Sequence, residues 1–262
     1  MRIATLQLPI DDISGIDGRF RLTEELLLGM ERSGRRPDLL MLPEIWGCGF
    51  FDYDRYKDCC EDVRGRTYEF FSGWAKRLGC WVHTGSFIEK RGEDYYNTCL
   101  LLDRKGEIAA QYSKIHLFTY KSREFELFKP GTEVVVTDSE FGRVGLSICY
   151  DLRFPEQYRK MVDMGAEILL ICAEWPVQRL PHWRLLCQTR ALENQCIIVA
   201  CNASGTQGGV PCAGHSMTVN PYGKIYFEAD ADACVLWSEI DPAEVPKARE
   251  HFPVLRDRVD IR

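Results

Sequence analysis

A chain of 262 residues, 45% of them hydrophobic, is long enough to bury a large core without disulfide or metal staples, and it reads as one α/β domain over residues 1–262. Its formal net charge of -6 and pI near 5.5, with Lys and Arg scattered rather than striped, argue against a nucleic-acid partner. No apolar run approaches bilayer length, and the first residues enter a strand pattern without a leader, so no membrane partner and a cytoplasmic location are expected.

In chain order, residues 2–8 alternate as a strand, and Leu22, Leu26, Leu27 and Met30 recur at helical spacing within residues 20–31. Residues 37–42 form a short apolar strand of the doubly buried kind, closed by Pro43 and Glu44. An apolar flank raises a carboxyl group's pKa and makes Glu44 a better proton acceptor near neutral pH, whereas a cap on a nearby loop is its plainer reading. Residues 50–63 turn polar and aromatic, as a surface loop or short helix over one edge does. A helix follows over 66–78, and strands over 81–89, 96–103 and 108–113 make an antiparallel ladder.

Lys114 stands at the end of that ladder, boxed by Tyr112, Ile115, Leu117 and Phe118. If its ammonium turns inward it needs a carboxylate or a developing oxyanion as partner, because an unpaired buried charge is too costly. His116 reads as a hydrogen-bonded structural histidine. The polar loop 119–131 carries Glu124 and Glu126 and ends at Pro130-Gly131. Residues 134–137 open a hairpin whose second arm, 143–148, leads into Cys149. Pro155 suits a first helical position and Glu156 complements the helix dipole, so strand, sharp turn and helix place a thiol at the mouth of a sheet. Residues 166–172 return as a buried strand, completing a parallel crossover with sites at the strands' carboxyl ends. Trp175 at the neighbouring strand end is core or pocket wall.

A helix over 182–194 carries Leu185, Leu186, Thr189 and Leu192 on one side and an Arg190–Glu193 pair. Residues 196–201 are a buried strand, 202–209 a glycine-rich loop without phosphate-loop spacing, and three strands lie within 214–239. Residues 241–262 read as an exposed tail with a short helix, a docking arm for a dimer. The 12 cysteines sit mostly in apolar segments such as Cys99, Cys172, Cys196 and Cys201, and are expected to be reduced small hydrophobes. With no C-x-x-C and no H-x-x-x-H spacing, no metal is expected.

Glu44, Lys114 and Cys149 each close a strand, and strand ends on one rim can converge. A carboxylate can take the thiol proton as sulfur attacks a carbonyl, while an ammonium and the Tyr150 amide steady the oxyanion; a thioester and water then complete a hydrolysis.

The segments Leu42-Pro43-Glu44, Tyr112 through Phe118, and Cys149-Tyr150-Asp151-Leu152-Arg153-Phe154-Pro155-Glu156 resemble, in order and separation, the three motifs of the nitrilase or carbon-nitrogen hydrolase superfamily. The resemblance implies a four-layer α-β-β-α sandwich, a Glu44–Lys114–Cys149 triad, no cofactor and a homodimer. It also implies a second glutamate, for which Glu124 matches best and Glu126 is the runner-up. Glu174-Trp175-Pro176 with Arg179 and the 190–195 stretch look like the omega-amidase branch, which deaminates 2-oxoglutaramate and similar dicarboxylic mono-amides. Such a small-molecule amide needs a cation for its distal carboxylate. Arg153 and Arg179 are the candidates, although Arg153 beside Asp151 and Glu156 also reads as an internal ion pair. Asn202-Ala203-Ser204-Gly205 departs from the Asn-Arg-x-Gly of that branch. The alternatives are an N-carbamoyl amine hydrolase using the same triad and, in a different class, an inactive interaction or thiol-sensing protein.

Overall fold

The computed structural model describes residues 1–259. Two six-stranded sheets lie face to face. The first runs β15-β1-β3-β4-β5-β6 and comprises β1 (Arg2–Gln7), β3 (Leu39–Met41), β4 (Trp81–Arg91), β5 (Asp94–Leu102), β6 (Ile108–Ser113) and β15 (Cys234–Glu239). The second runs β14-β13-β10-β9-β8-β7 and comprises β7 (Val136–Ser139), β8 (Gly142–Ile148), β9 (Ile168–Ala173), β10 (Ile197–Asn202), β13 (Met217–Val219) and β14 (Ile225–Glu228). Each sheet has a parallel centre and antiparallel flanks, and β8, β9 and β10 are mutually parallel.

The layers follow from strand alternation. Val144, Leu146 and Ile148 of β8, with Leu170 and Cys172 of β9, meet Met41, Cys99, Leu101 and Tyr112 of the first sheet in one apolar cluster between the sheets. The opposite faces are covered by helices. Helices α1 (Gly15–Ser33) and α3 (Arg66–Leu78) pack Phe20, Leu27, Phe71 and Trp74 on Leu40, Val82 and Leu100. Helices α5 (Pro155–Asp163) and α6 (Leu180–Asn194) pack Tyr158, Met161, Trp183 and Cys187 on Leu169, Ile171 and Ile198. The strand 168–173 is apolar at every position because both of its faces are buried. The expected α-β-β-α sandwich is the arrangement formed.

Several segments differ from the sequence reading. Residues 204–207, read as loop, form β11 (Ser204–Gln207), which joins β2 (Pro9–Asp11) and β12 (Val210–Pro211) in a third, small sheet; tertiary pairing overrides the glycine-rich composition there. The 50–63 stretch contains α2 (Tyr56–Cys59) and buries Phe50 and Tyr56 instead of lying on the surface. The 119–131 loop tightens into one turn, α4 (Glu124–Leu127). The tail expected over 241–262 begins with α7 (Glu244–His251), whose Val245 and Ala248 are fully buried instead of exposed, and its last residues, 260–262, lie outside the described residues. Among the described residues no helix is long and apolar enough to cross a membrane.

Candidate active site

The carboxyl ends of β3, β8 and β9 and the end of β6 meet at one rim. Glu44 follows β3, and its position is fixed by close backbone approach from β4. Ser86 N–H donates to the Pro43 carbonyl at 3.1 Å, and a Cβ on Gly85 (φ 66°) would come within 2.1 Å of that oxygen, so only glycine fits. Lys114 extends β6 by one residue. Its N–H donates to Asn97 O and its carbonyl accepts from Gly131 N–H, both at 2.8 Å.

These backbone placements turn the Lys114 ammonium inward, where the side chain is 0% exposed. It donates to Glu44 Oε1 at 2.8 Å and to Glu124 Oε1 and Oε2 at 2.8 and 3.0 Å. Asn97 Nδ2 bridges the two carboxylates, at 2.9 Å from Glu44 and 3.1 Å from Glu124. Phe118 N–H holds the far oxygen of Glu124 at 2.6 Å, and Glu174 N–H donates to Glu44 Oε2 at 3.2 Å. Burial alone would push Lys114 down, but the charges of Glu124 and Glu44 hold it well above its ordinary value, so it stays an ammonium. Burial lifts the Glu124 carboxyl, against the opposing pull of Lys114. Glu126, two residues on in the same turn, is exposed and paired with Arg123 at 3.6 Å; the structure brings Glu124, not Glu126, to the cluster.

Cys149 sits above this cluster in the left-handed region, φ 50°, at the start of a 3-10 turn over Cys149–Arg153 that separates β8 from α5. For a non-glycine residue that conformation costs on the order of 1–3 kcal/mol and persists only where the surroundings impose it. Asp151 supplies the constraint. Fully buried, it accepts from Tyr112 O–H (2.6 Å), Ile148 N–H (2.9 Å) and His116 N–H (3.0 Å), and contacts His116 Nδ1 at 2.9 Å. His116 stacks on Phe154, with ring centroids 3.8 Å apart, and so belongs to this scaffold, as the structural reading holds. Pro155 occupies the first turn of α5, as its fixed φ favours. Desolvation pushes the Cys149 thiol up, as do the charge and the hydrogen bond of Glu44; Lys114 and the Glu174 amide pull it down. Raised in this way, the thiol is held as S–H in the field of the Glu44 carboxylate.

Cys149 opens onto a cavity of about 480 Å³. Tyr150, Arg153, Trp175 and Arg179, all expected at a substrate site, line it together with Phe50, Phe118 and Glu174. Arg153 does not form the internal ion pair with Asp151 or Glu156, because Asp151 is committed to Tyr112, His116 and Ile148. Its guanidinium instead lies over the Trp175 ring at 4.6 Å and reaches His182 Nδ1 at 3.4 Å. Desolvation and the neighbouring Arg179 both press its pKa down, the signature of two cations facing a cavity without an anion between them. Asn202 is structural: its Oδ1 accepts from Trp175 N–H at 2.7 Å, and Ala203, where an arginine was expected, is fully buried. Among the described residues no group of three or more His, Cys, Asp or Glu is placed to hold a metal ion.

Sequence reasoning missed Asn97, Glu174 and the 48–51 loop. Asn97 had a signal, a polar residue in the apolar half of a strand. Glu174 stands in the sequence only as part of Glu174-Trp175-Pro176, and residues 50 and 51 are held by distant groups, Glu174 Oε2 on Phe50 N–H and Gln207 Oε1 on Phe51 N–H.

The carbon-nitrogen hydrolase family model matches residues 2–250. A 2-oxoglutaramate amidase of Paenarthrobacter nicotinovorans is 34% identical over 264 residues, covering 98% of this chain and 88% of that protein. A deaminated glutathione amidase of Dictyostelium discoideum is 36% identical over 211 residues, covering 75% of this chain and 72% of that protein. Among solved structures, a CN-hydrolase superfamily protein of Xanthomonas campestris, with an arsenic adduct in its active site, has a TM-score of 0.91 at 27% identity and covers 100% of this chain and 98% of that one.

Proposed function

The chain belongs to the carbon-nitrogen hydrolase family, as a hydrolase of carbon–nitrogen bonds other than peptide bonds, and from that premise we propose a cysteine-dependent amidase acting on a small aliphatic amide, 2-oxoglutaramate or a similar dicarboxylic mono-amide. The observation that carries this reading is the fully buried Lys114 ammonium held between Glu44 and Glu124, directly beneath a strained Cys149 that opens onto the cavity.

In this reading Cys149 Sγ attacks the amide carbon while Glu44 takes the thiol proton. Lys114 and the Tyr150 amide stabilise the oxyanion. The C–N bond breaks as Glu44 returns the proton to nitrogen, ammonia leaves, and a thioester remains on Cys149. Glu44 then deprotonates water, hydroxide attacks the thioester, and the acid departs as sulfur is reprotonated. Glu124 keeps the ammonium aimed and takes no proton itself. Glu44 works because Lys114 compensates its charge without removing its free oxygen, whose donor is a single amide.

Arg153 and Arg179 give the outer cavity a positive end, while Glu44 and Glu124, sharing the single Lys114 ammonium, leave its inner end net negative. That polarity favours an amide directed inward and a carboxylate outward. The 2-oxoglutaramate amidase relative supports the same substrate class. The apolar residues Leu185 and Leu192 of α6, 63% and 58% exposed opposite its buried Trp183 and Ala191, support a homodimer formed through that helix. Twelve free cysteines fit a reducing cytoplasm.

The test is ammonia release across amides of differing length, with and without a distal carboxylate, by wild type and Cys149→Ala. Turnover of 2-oxoglutaramate lost in Cys149→Ala supports the reading. Carbon dioxide released with ammonia from an N-carbamoyl amine, and no reaction with amides, would replace it with the carbamoylase reading.

A further inference from the structure

One buried carboxyl group on the cavity wall has been given no role in the proposed reaction. Glu174 is 3% exposed and lies on the wall of the Cys149 cavity. Its Oε2 accepts from Phe50 N–H at 3.0 Å, and its Oε1 meets the Cys212 thiol at 3.8 Å. A carboxylate so enclosed requires a cation or several strong donors, and one amide with one distant thiol falls short of that. The neutral acid suits these partners: its carbonyl oxygen serves Phe50, and its hydroxyl needs no cation.

The charged and titratable groups around it lead to the same protonation state. Glu44 at the end of β3, Arg19 of α1, Cys212 after β12 and Tyr56 of α2 face it, with Lys114 and Cys149 beyond Glu44. Arg19 directs its guanidinium to the carbonyls of Gly47, Cys48 and Asp11, and Lys114 is committed to Glu44 and Glu124. Neither is free to neutralise a third carboxylate. Burial, assisted by the charge of Glu44 and opposed by the Phe50 amide, pushes the Glu174 carboxyl up to about 8.

The residue grips two parts of the machinery. Its side chain holds Phe50, whose ring lies 5.4 Å from Lys114 Nζ and meets Phe51 and Tyr53 edge-on. Its backbone N–H holds Glu44 Oε2 at 3.2 Å. We propose that Glu174 is a positioning residue that works as a neutral acid: its carboxyl group fixes Phe50 over the ion cluster, and its ionisation sets the alkaline limit of the reaction by adding a charge beside Glu44 and Cys149. The inference rests on the reading of Cys149 and Glu44 given above.

Site-resolved alkylation of Cys149 by iodoacetamide, followed by peptide mass spectrometry from about pH 6 to about pH 10, tests it without requiring turnover. In wild type the rate should climb with pH and bend downward near pH 8, where Glu174 ionises. Glu174→Gln keeps an oxygen for Phe50 N–H and removes the ionisation, so its rate should rise without the bend. Cys149 and Glu174 line the same cavity, and one added charge is worth about one pH unit across about 12 Å at an effective dielectric constant of about 20, so the variant's advantage should grow about tenfold between neutral and alkaline pH. The ratio of kcat/KM at alkaline to neutral pH should rise in parallel. A wild-type alkylation rate that climbs straight through this range overturns the inference without any variant, and so does a bend that persists in Glu174→Gln. If the bend is present and Gln removes it, while no amide is hydrolysed, the amide reading fails and only the ionisation of Glu174 beside Cys149 stands. Amide turnover without the bend has the opposite meaning.

Discussion

Replacing Lys114 by methionine keeps most of the side-chain volume and removes the one cation between Glu44 and Glu124. Both carboxyl groups are fully buried, and Asn97 Nδ2, at 2.9 and 3.1 Å, is the donor left bridging them. Breaking a buried pair from one side leaves uncompensated charge and costs about 3–5 kcal/mol, a large part of a total stability of about 5–15 kcal/mol. The site responds by keeping a proton between the two carboxyls, which raises the folded pKa of the pair above the unfolded value of about 4.3. A carboxyl raised in the fold holds a proton that the unfolded chain has released, so the variant loses stability as pH rises through that unfolded value. Urea unfolding of Lys114→Met and wild type at about pH 5 and about pH 8 should therefore show the smaller deficit at the lower pH. Activity should fall by about 10³-fold or more, because an oxyanion donor and the cation that pairs with Glu44 are lost together. Equal stability of the two proteins at both pH values, or a variant that still turns over at the wild-type rate, would refute this account of the cluster.

Arg153→Met combined with Arg179→Met should raise KM for 2-oxoglutaramate by about 10- to 100-fold, since a charge-assisted hydrogen bond is worth about 1.5–3 kcal/mol, with far less effect on an uncharged amide. A matched loss on both substrates would remove these residues from carboxylate recognition. Asp151→Asn replaces one acceptor oxygen by a donor facing groups that already donate, and should cost about 2–3 kcal/mol by urea unfolding while slowing Cys149 alkylation. Unchanged stability would mean that the Cys149 turn does not depend on Asp151. Leu185→Asp should shift sedimentation toward the monomer, and an unaltered dimer would move the interface away from α6.

What the sequence made legible was local or strongly periodic. The helix expected over 66–78 is α3, Arg66–Leu78, because its amphipathic stripe and the Gly79 stop agree, and the strand over 108–113 is β6, Ile108–Ser113. Glu44, Lys114 and Cys149 were legible because each ends a strand whose direction the apolar pattern fixes. The resemblance ranks Glu124 above Glu126, and the fold gives the physical reason: the two lie two residues apart in one turn, and the Phe118 amide holds the one that faces inward. The Glu174 environment was illegible, since its partners Phe50 and Cys212 lie 124 and 38 residues away along the chain. Leu185 and Leu192 show the converse case. Their helical spacing is that of a core stripe, and the structure exposes them.

In the proposed reaction the sulfur of Cys149 carries the acyl group. Wild-type protein mixed with 2-oxoglutaramate, quenched in acid within the turnover time and digested for peptide mass spectrometry, tests it most directly. A gain equal to the amide minus ammonia is expected on the peptide containing Cys149, absent from Cys149→Ala. Ammonia release without any adduct on Cys149, or with the adduct on another cysteine, would contradict it.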